Sequence, residues 1–186
     1  LVQTSNTNNN LMDVISNNVD SYIAVGTAGT VLSSNDGNSW TARTSNTSSD
    51  LNAITFGNGL YLAVGNTAII TSNDGINWIS RQVPPSPLND VIFDGTQFIL
   101  VGDQGSVLTT TDGINFQTVN AGDNVTQMTG VAYNGTDLIR SGNPLQLLKS
   151  ADGISWSPVT SQNYAVNQVE FFNDSFIAVG DNGLIL

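Results

Sequence analysis

Three carboxylates stand where acid–base chemistry could be done. Asp13 and Asp90 occupy the same column of a repeated segment, and Glu170 lies in the corresponding segment near the C-terminus. Two acids at a suitable separation can protonate a leaving group and activate water, which is the chemistry of glycoside hydrolysis. The same column holds Ala53, Gly130 and Gln168 in the other copies, a small or polar set that fits a narrow, solvated place equally well. The chain has no His and no Cys, hence no imidazole base, no thiol nucleophile and no thiolate metal site. A second group of residues suits binding. Asn52, Asn89 and Asn167 recur one position before that column, and Asp103 and Asp181 each follow a recurrent glycine. Amides and carboxylates with a nearby aromatic suit sugar hydroxyls, and Tyr164 is the candidate for stacking.

These positions are defined by an internal period of about forty residues, the signature of a repeat architecture. Leu51-Asn52-Ala53-Ile54-Thr55-Phe56 returns as Leu88-Asn89-Asp90-Val91-Ile92-Phe93. Each copy then reaches a strand-ending glycine: Gly26, Gly65, Gly102, Gly142 or Gly180. The segment starts line up as Leu11, Leu51, Leu88, Met128 and Val166, followed three residues later by Val14, Ile54, Val91, Val131 and Val169. Alternating β-branched and aromatic positions predict strands. Asn58-Gly59, Asp94-Gly95 and Asn134-Gly135 are hairpin dipeptides that accept positive φ.

In the first copy, strand A is expected at 11–16, B at 21–26, C at 30–34 and D at about 40–44. Short connections make each copy an antiparallel meander, and such a unit repeated around an axis is a propeller blade. The expected fold is all-β: one domain, 1–186, forming a five-bladed β-propeller of four-stranded antiparallel blades. Its blades fall at 11–50, 51–87, 88–127, 128–165, and 166–186 together with 1–10. Thr4-Ser5-Asn6-Thr7 repeats Thr44-Ser45-Asn46-Thr47. Residues 1–5 therefore read as a strand D that closes the ring 3+1 against strands A to C of the last copy. The rival readings are a segment of a longer propeller, or a strand exchanged between chains.

The C–D hairpins read Ser34-Asn35-Asp36-Gly37-Asn38-Ser39-Trp40, Ser72-Asn73-Asp74-Gly75-Ile76-Asn77-Trp78, Thr110-Thr111-Asp112-Gly113-Ile114-Asn115-Phe116 and Ser150-Ala151-Asp152-Gly153-Ile154-Ser155-Trp156. This pattern resembles the Asp-box (BNR) repeat of sialidase-like propellers. Here Gly follows Asp directly, so the hairpin is one residue tighter than the family pattern. The resemblance implies a structural role for these Asp and aromatic residues, on the face away from an active site; calcium at the carboxylates is the alternative, and no other cofactor is expected. Sialidases use an arginine triad on inner strands. Arg43 falls in a strand D, Arg81 beyond another and Arg140 at the end of a strand B, so sialidase activity is not expected.

Composition sets the outer limits. The net charge is −11 with Arg43, Arg81, Arg140 and Lys149 as the basic residues, which argues against nucleic acid and anionic membranes as partners. No apolar run approaches a membrane span. The start at Leu1 without Met, the absence of Cys and the abundance of Asn, Ser and Thr suggest a processed piece of a secreted or cell-surface protein. The expected function is non-catalytic recognition of a glycan or protein surface. It would use the B–C loops (Asn66, Asp103-Gln104, Asn143, Asp181-Asn182) and the irregular D–A loops at 5–10, 45–50, 82–87, 119–127 and 158–165. The alternatives are a building block of an extracellular fibre or adhesin, assembling as a homo-oligomer, and a glycosidase using Asp13, Asp90 and Glu170.

Overall fold

The computed structural model describes residues 4–17, 21–81, 84, 86–120, 127–143, 146–153, 155–159 and 164–186. They fall in two compact units, Leu1–Pro87 and Leu88–Leu186. The first unit holds two four-stranded sheets. One runs β1 (Leu11–Ser16), β2 (Tyr22–Gly26), β3 (Val31–Ser34), β4 (Thr41–Arg43); the other runs β5 (Leu51–Gly57), β6 (Leu60–Gly65), β7 (Ile69–Ser72), β8 (Ile79–Ser80). The second unit holds β9 (Leu88–Phe93) to β12 (Gln117–Asn120), by way of β10 (Phe98–Gly102) and β11 (Ser106–Thr110). It continues with the sheet of β13 (Gln127–Tyr133), β14 (Leu138–Asn143), β15 (Gln146–Ser150) and β16 (Ser157–Pro158). Its last sheet has three strands, β17 (Val166–Phe172), β18 (Ser175–Gly180) and β19 (Leu184–Ile185). Every sheet is an antiparallel meander, as the short connections require.

The last sheet has the strand count that 3+1 closure calls for. Residues 1–3 of the expected closing strand lie outside the described residues. The segment after it repeats its counterpart in detail: Asn6 and Asn46 both take positive φ, 56° and 60°. Ser5 and Ser45 each donate their hydroxyl to the carbonyl two residues on.

One feature departs from regular alternation. The first strand of every sheet carries a register shift at the same place, between Leu11 and Asp13, Leu51 and Ala53, Leu88 and Asp90, Met128 and Gly130, and Val166 and Gln168. A β-bulge leaves one residue out of the ladder and re-aims its side chain. The residues so displaced are Met12, Asn52, Asn89, Thr129 and Asn167. Opposite four of these bulges the strand-ending glycine is fixed by crowding. A β-carbon at Gly26, Gly65, Gly142 or Gly180 would collide with the carbonyl oxygen of Asn10, Asp50, Gln127 or Ala165.

The cores sit between sheets of one unit. Ile23, Val25 and Val31 pack against Leu51, Ile54, Tyr61, Ala63 and Trp78. In the second unit, Ile99, Val101 and Val107 pack against Met128, Val131 and Leu138 with Trp156. Ile139 and Leu147 pack against Val166, Val169 and Ala178. Phe98-Ile99-Leu100-Val101 of β10 is buried along its whole length. Trp78 is buried while Trp40 is only half-buried. Trp78→Ala is therefore expected to lower unfolding free energy by about 3–5 kcal/mol, and Trp40→Ala by clearly less. Equilibrium urea unfolding of the two variants side by side checks this order.

Candidate functional site

In three of the five sheets the bulged residue is an asparagine that builds a polar edge at one end of the sheet. In the first unit the displaced Asn52 donates from Nδ2 to Oδ1 of Asn66, 3.2 Å away. In the second unit Asn89 donates from Nδ2 to Asp103 Oδ1 at 2.9 Å and to the carbonyl of Met128 at 2.7 Å. Asn167 makes the matching bond to Asp181 Oδ1 at 2.9 Å. Each pair joins the start of a first strand to the turn after a second strand. Those turns are tied to the preceding loops through the backbone: Thr27 donates to Asn10, Asn66 to Asp50 and Asp181 to Ala165, at 2.9, 3.1 and 3.0 Å. B–C and D–A loops of a sheet thus share one edge, as expected from the meander. Ala28, Gln104 and Asn182, at the middle of three of these turns, all have positive φ of 55–57°.

The candidate residues do not all stand alike. Asp103 is half-buried and Asp181 exposed, so each can present a carboxylate oxygen beside its amide partner. The ring of Tyr164 packs partly buried on the cluster of Ala132, Ile139 and Val166, which leaves only part of it for stacking. Residues 82, 83, 85, 121–126 and 160–163 of the D–A loops, and the side chain of Asn143, lie outside the described residues.

Asp13 and Asp90 are engaged differently from what a solvated column predicts. Asp13 accepts the N–H of Val14 at 2.7 Å on Oδ1 and that of Ile54, on the next sheet, at 2.8 Å on Oδ2. Asp90 repeats this with Val91 and Val131, both at 2.8 Å. Each carboxylate caps N–H groups along the free edge of first strands and joins two sheets of its own unit. Asp90 is buried. Glu170 is exposed and takes a hydrogen bond from Gln168 Nε2 at 3.2 Å.

The opposite end of the sheets carries the Asp-Gly hairpins. In the first, Asp36 Oδ1 accepts the N–H groups of Asn38 and Ser39 at 2.8 and 2.7 Å and the hydroxyl of Ser34 at 3.0 Å. Gly37 donates to Ser34 Oγ at 2.9 Å, and Trp40 Nε1 donates to the Gly37 carbonyl at 3.3 Å. Asp74, Asp112 and Asp152 head the same network in their sheets. The indoles of Trp78 and Trp156 repeat the bond to the turn glycine, while Phe116 is half-buried without such a donor. The Ser39 N–H, then that of Asn38, holds the Asp36 carboxyl down from its ordinary 3.8 to about 2. The Asn77 and Asn115 N–H groups hold Asp74 and Asp112 lower still. These carboxylates serve the turn. Among the described residues no group of three or more acids gathers at one place.

The arginines are structural neighbours of the ladders. Arg43 and Arg81 donate from Nε to Ser33 Oγ and Thr71 Oγ1 at 2.7 and 2.8 Å. Arg140 is not at a strand end. It lies mid-strand in β14, buried, with its guanidinium 4.6 Å from the centre of the Trp156 ring and Nη1 on Met128 Sδ.

No protein-family model and no curated protein matches the sequence. Solved structures do match. YCF48 bound to D1 peptide superposes with a TM-score of 0.78 at 18% identity, over 99% of this chain and 64% of that one. The WD40 β-propeller domain of Doa1 gives 0.73 at 16% identity, over 96% and 64%. An ancestral GH74 enzyme gives 0.74 at 19%, over 96% and 30%. The chain thus spans less than two thirds of each of these three. Such likeness establishes a fold and nothing more: the chain is an all-β, five-bladed propeller of antiparallel sheets. No helix among the described residues is long and apolar enough to cross a membrane.

Two outcomes are expected. Asp90→Asn replaces one of two N–H acceptors by a donor and should cost about 1–3 kcal/mol of stability, read by urea unfolding. A carboxyl depressed in the folded state contributes stability that is complete above its unfolded value and lost as pH falls through its folded value. For Asp36 that window runs from 3.8 down to about 2. Melting temperature should therefore drop over this range, and Asp36→Asn should flatten the drop.

Proposed function

We propose that the chain is a non-catalytic recognition module of a secreted or cell-surface protein. It would bind a protein or glycan surface through the edge that carries the bulges and the B–C and D–A loops. The observation that supports this reading is the repeated pairing of a displaced asparagine with the turn of its own sheet: Asn52 with Asn66, Asn89 with Asp103, Asn167 with Asp181. Polar groups held by bulges on rigid sheets lose little freedom when a ligand arrives, so their hydrogen bonds convert efficiently into affinity. The net charge of −11 favours a neutral or basic ligand surface. YCF48, similar in fold, is a protein whose structure holds a peptide. That precedent favours a protein segment over a glycan.

The reading of a glycosidase is less well supported. The GH74 enzyme shares the fold alone, and Asp13 and Asp90 already accept two backbone N–H groups each. The Asp-box resemblance is part of the same proposal. The repeated Ser-Asp-Gly hydrogen bonds of the hairpins support it, with carboxylates that serve the turn in a structural role.

The test is binding of the whole chain to a glycan array and to a panel of neutral and Lys/Arg-rich peptides. A ligand found in either set should lose roughly tenfold in affinity, or about 1.4 kcal/mol, in Asp103→Ala or Asn167→Ala at unchanged melting temperature. Asp36→Asn, at the other end of its sheet, should bind as the parent does. No binding in either set, or equal loss in Asp36→Asn, overturns the proposal.

A further inference from the structure

One column of the repeat changes its chemistry between the two units. The fourth strand of a sheet sets one residue opposite the start of the third. In the second unit that residue is Val119, paired with Val107 and packed against the core that Val107 shares with Met128 and Val131. In the first unit it is Arg43, paired with Val31 of the core between the two sheets. Val119 shows that the fold does not need a cation at this place. The arginine is therefore open to another use.

Arg43 is half-buried, and its Nε–H goes to Ser33 Oγ at 2.7 Å. That bond fixes the plane of the guanidinium and leaves both Nη groups over. Among the described residues no carboxylate pairs with them, although the chain carries a net charge of −11. Arg43 borders an open hollow of about 340 Å³ between the end of β4 and the second sheet, together with Ala42, Thr44, Asn46, Ile76, Asn77 and Trp78. Two of these walls are amides tied down by their nitrogen. Asn46 Nδ2 donates to the carbonyl of Trp78 at 2.8 Å, and Asn77 Nδ2 donates to Asp74 Oδ2 at 2.7 Å. Each keeps its Oδ1 as an acceptor on an oriented side chain. Ile76, 48% exposed, adds apolar surface.

We propose that this hollow binds a carboxylate that neighbours an amide N–H and an aliphatic side chain, the arrangement found at the end of a peptide and in a free N-acyl amino acid. The guanidinium fork matches the two oxygens of a carboxylate. The amide N–H of the ligand meets Oδ1 of Asn46 or Asn77, and its side chain rests on Ile76. Asp74 holds Asn77, and Asp36 lines a second hollow that Arg43 also borders. Both carboxylates repel a second negative charge, so a singly charged group is favoured over a phosphate monoester. The volume lies at the small end of ligand clefts and suits one residue of a ligand. No asparagine of the bulges and no partner of one lines the hollow, so this site does not rest on the recognition reading.

The test is titration of the isotope-labelled whole chain with N-acetylleucine, followed by nuclear magnetic resonance. The side-chain amides of Asn46 and Asn77 and the Nε–H of Arg43 are expected to shift and saturate. Affinity should fall roughly tenfold or more for N-acetylleucine amide, which lacks the carboxylate, and in Arg43→Val, which copies Val119. Arg43→Lys keeps the charge without the fork, should lose a similar factor, and serves where the valine variant loses its folded circular dichroism. Lys149→Gln removes the same charge in the second unit and should bind as the parent does. A tripeptide ending in leucine separates the two sources: tighter binding than N-acetylleucine assigns the hollow to a chain terminus, equal or weaker binding to the free acid. No saturable shift, equal affinity for the amide or in Arg43→Lys, equal loss in Lys149→Gln, or binding of inorganic phosphate as tight as that of N-acetylleucine each overturns the proposal.

Discussion

The free edge of the first strand is the constraint around which each sheet is organised. A strand at the end of a meander has N–H groups that its one neighbour cannot pair, and an open edge of this kind invites pairing with foreign strands. The chain answers with side chains instead of another strand. Asp13 caps its own edge at Val14 and reaches the edge of the next sheet at Ile54, and Asp90 does the same at Val91 and Val131. Asn89 and Thr129 add bonds to the carbonyl groups of Met128 and Val166. Polar side chains thus join neighbouring sheets along the same edge whose apolar columns pack together.

The bulge follows from this arrangement and separates two tasks. It takes one residue per first strand out of the ladder; in three sheets that residue is an asparagine bonded to the adjoining turn, and in two the next residue is an aspartate that binds backbone. Asn89 and Asp90 are neighbours in sequence, yet one meets Asp103 at the loop edge and the other holds Val131. At the far end of the sheets, the Asp-Gly hairpins satisfy their own polar groups within the turn. They bring only an aromatic ring to the core, so the two ends of a sheet are chemically unlike although both are rich in Asp and Asn.

Much of this was legible in the residues. The period, the strand-ending glycines and the hairpin dipeptides place every strand of the first sheet within a residue or two of its observed bounds, because turn chemistry and alternation are local. The amide–acid pairs of Asn89 and Asn167 lie among the residues chosen from sequence. The bulge was not legible, since a single inserted residue leaves the apolar columns on either side intact. Without it Asp13 and Asp90 look like solvated acids. The burial of Arg140 over Trp156 was hidden too: its column holds Leu100 and Ala63 in other copies, and nothing local marks a position where a guanidinium replaces an apolar side chain.

The hairpins have a bearing on chemical ageing as well. Asp-Gly is a dipeptide prone to cyclise, since glycine leaves its nitrogen unshielded for attack on the preceding carboxyl group. In these turns that nitrogen already donates to a hydroxyl three residues back, as Gly37 does to Ser34 and Gly75 to Ser72. The carboxylates are held as anions by the N–H groups beyond, and an anion is a poor electrophile. The bonds that shape each hairpin also guard the covalent link most apt to rearrange within it.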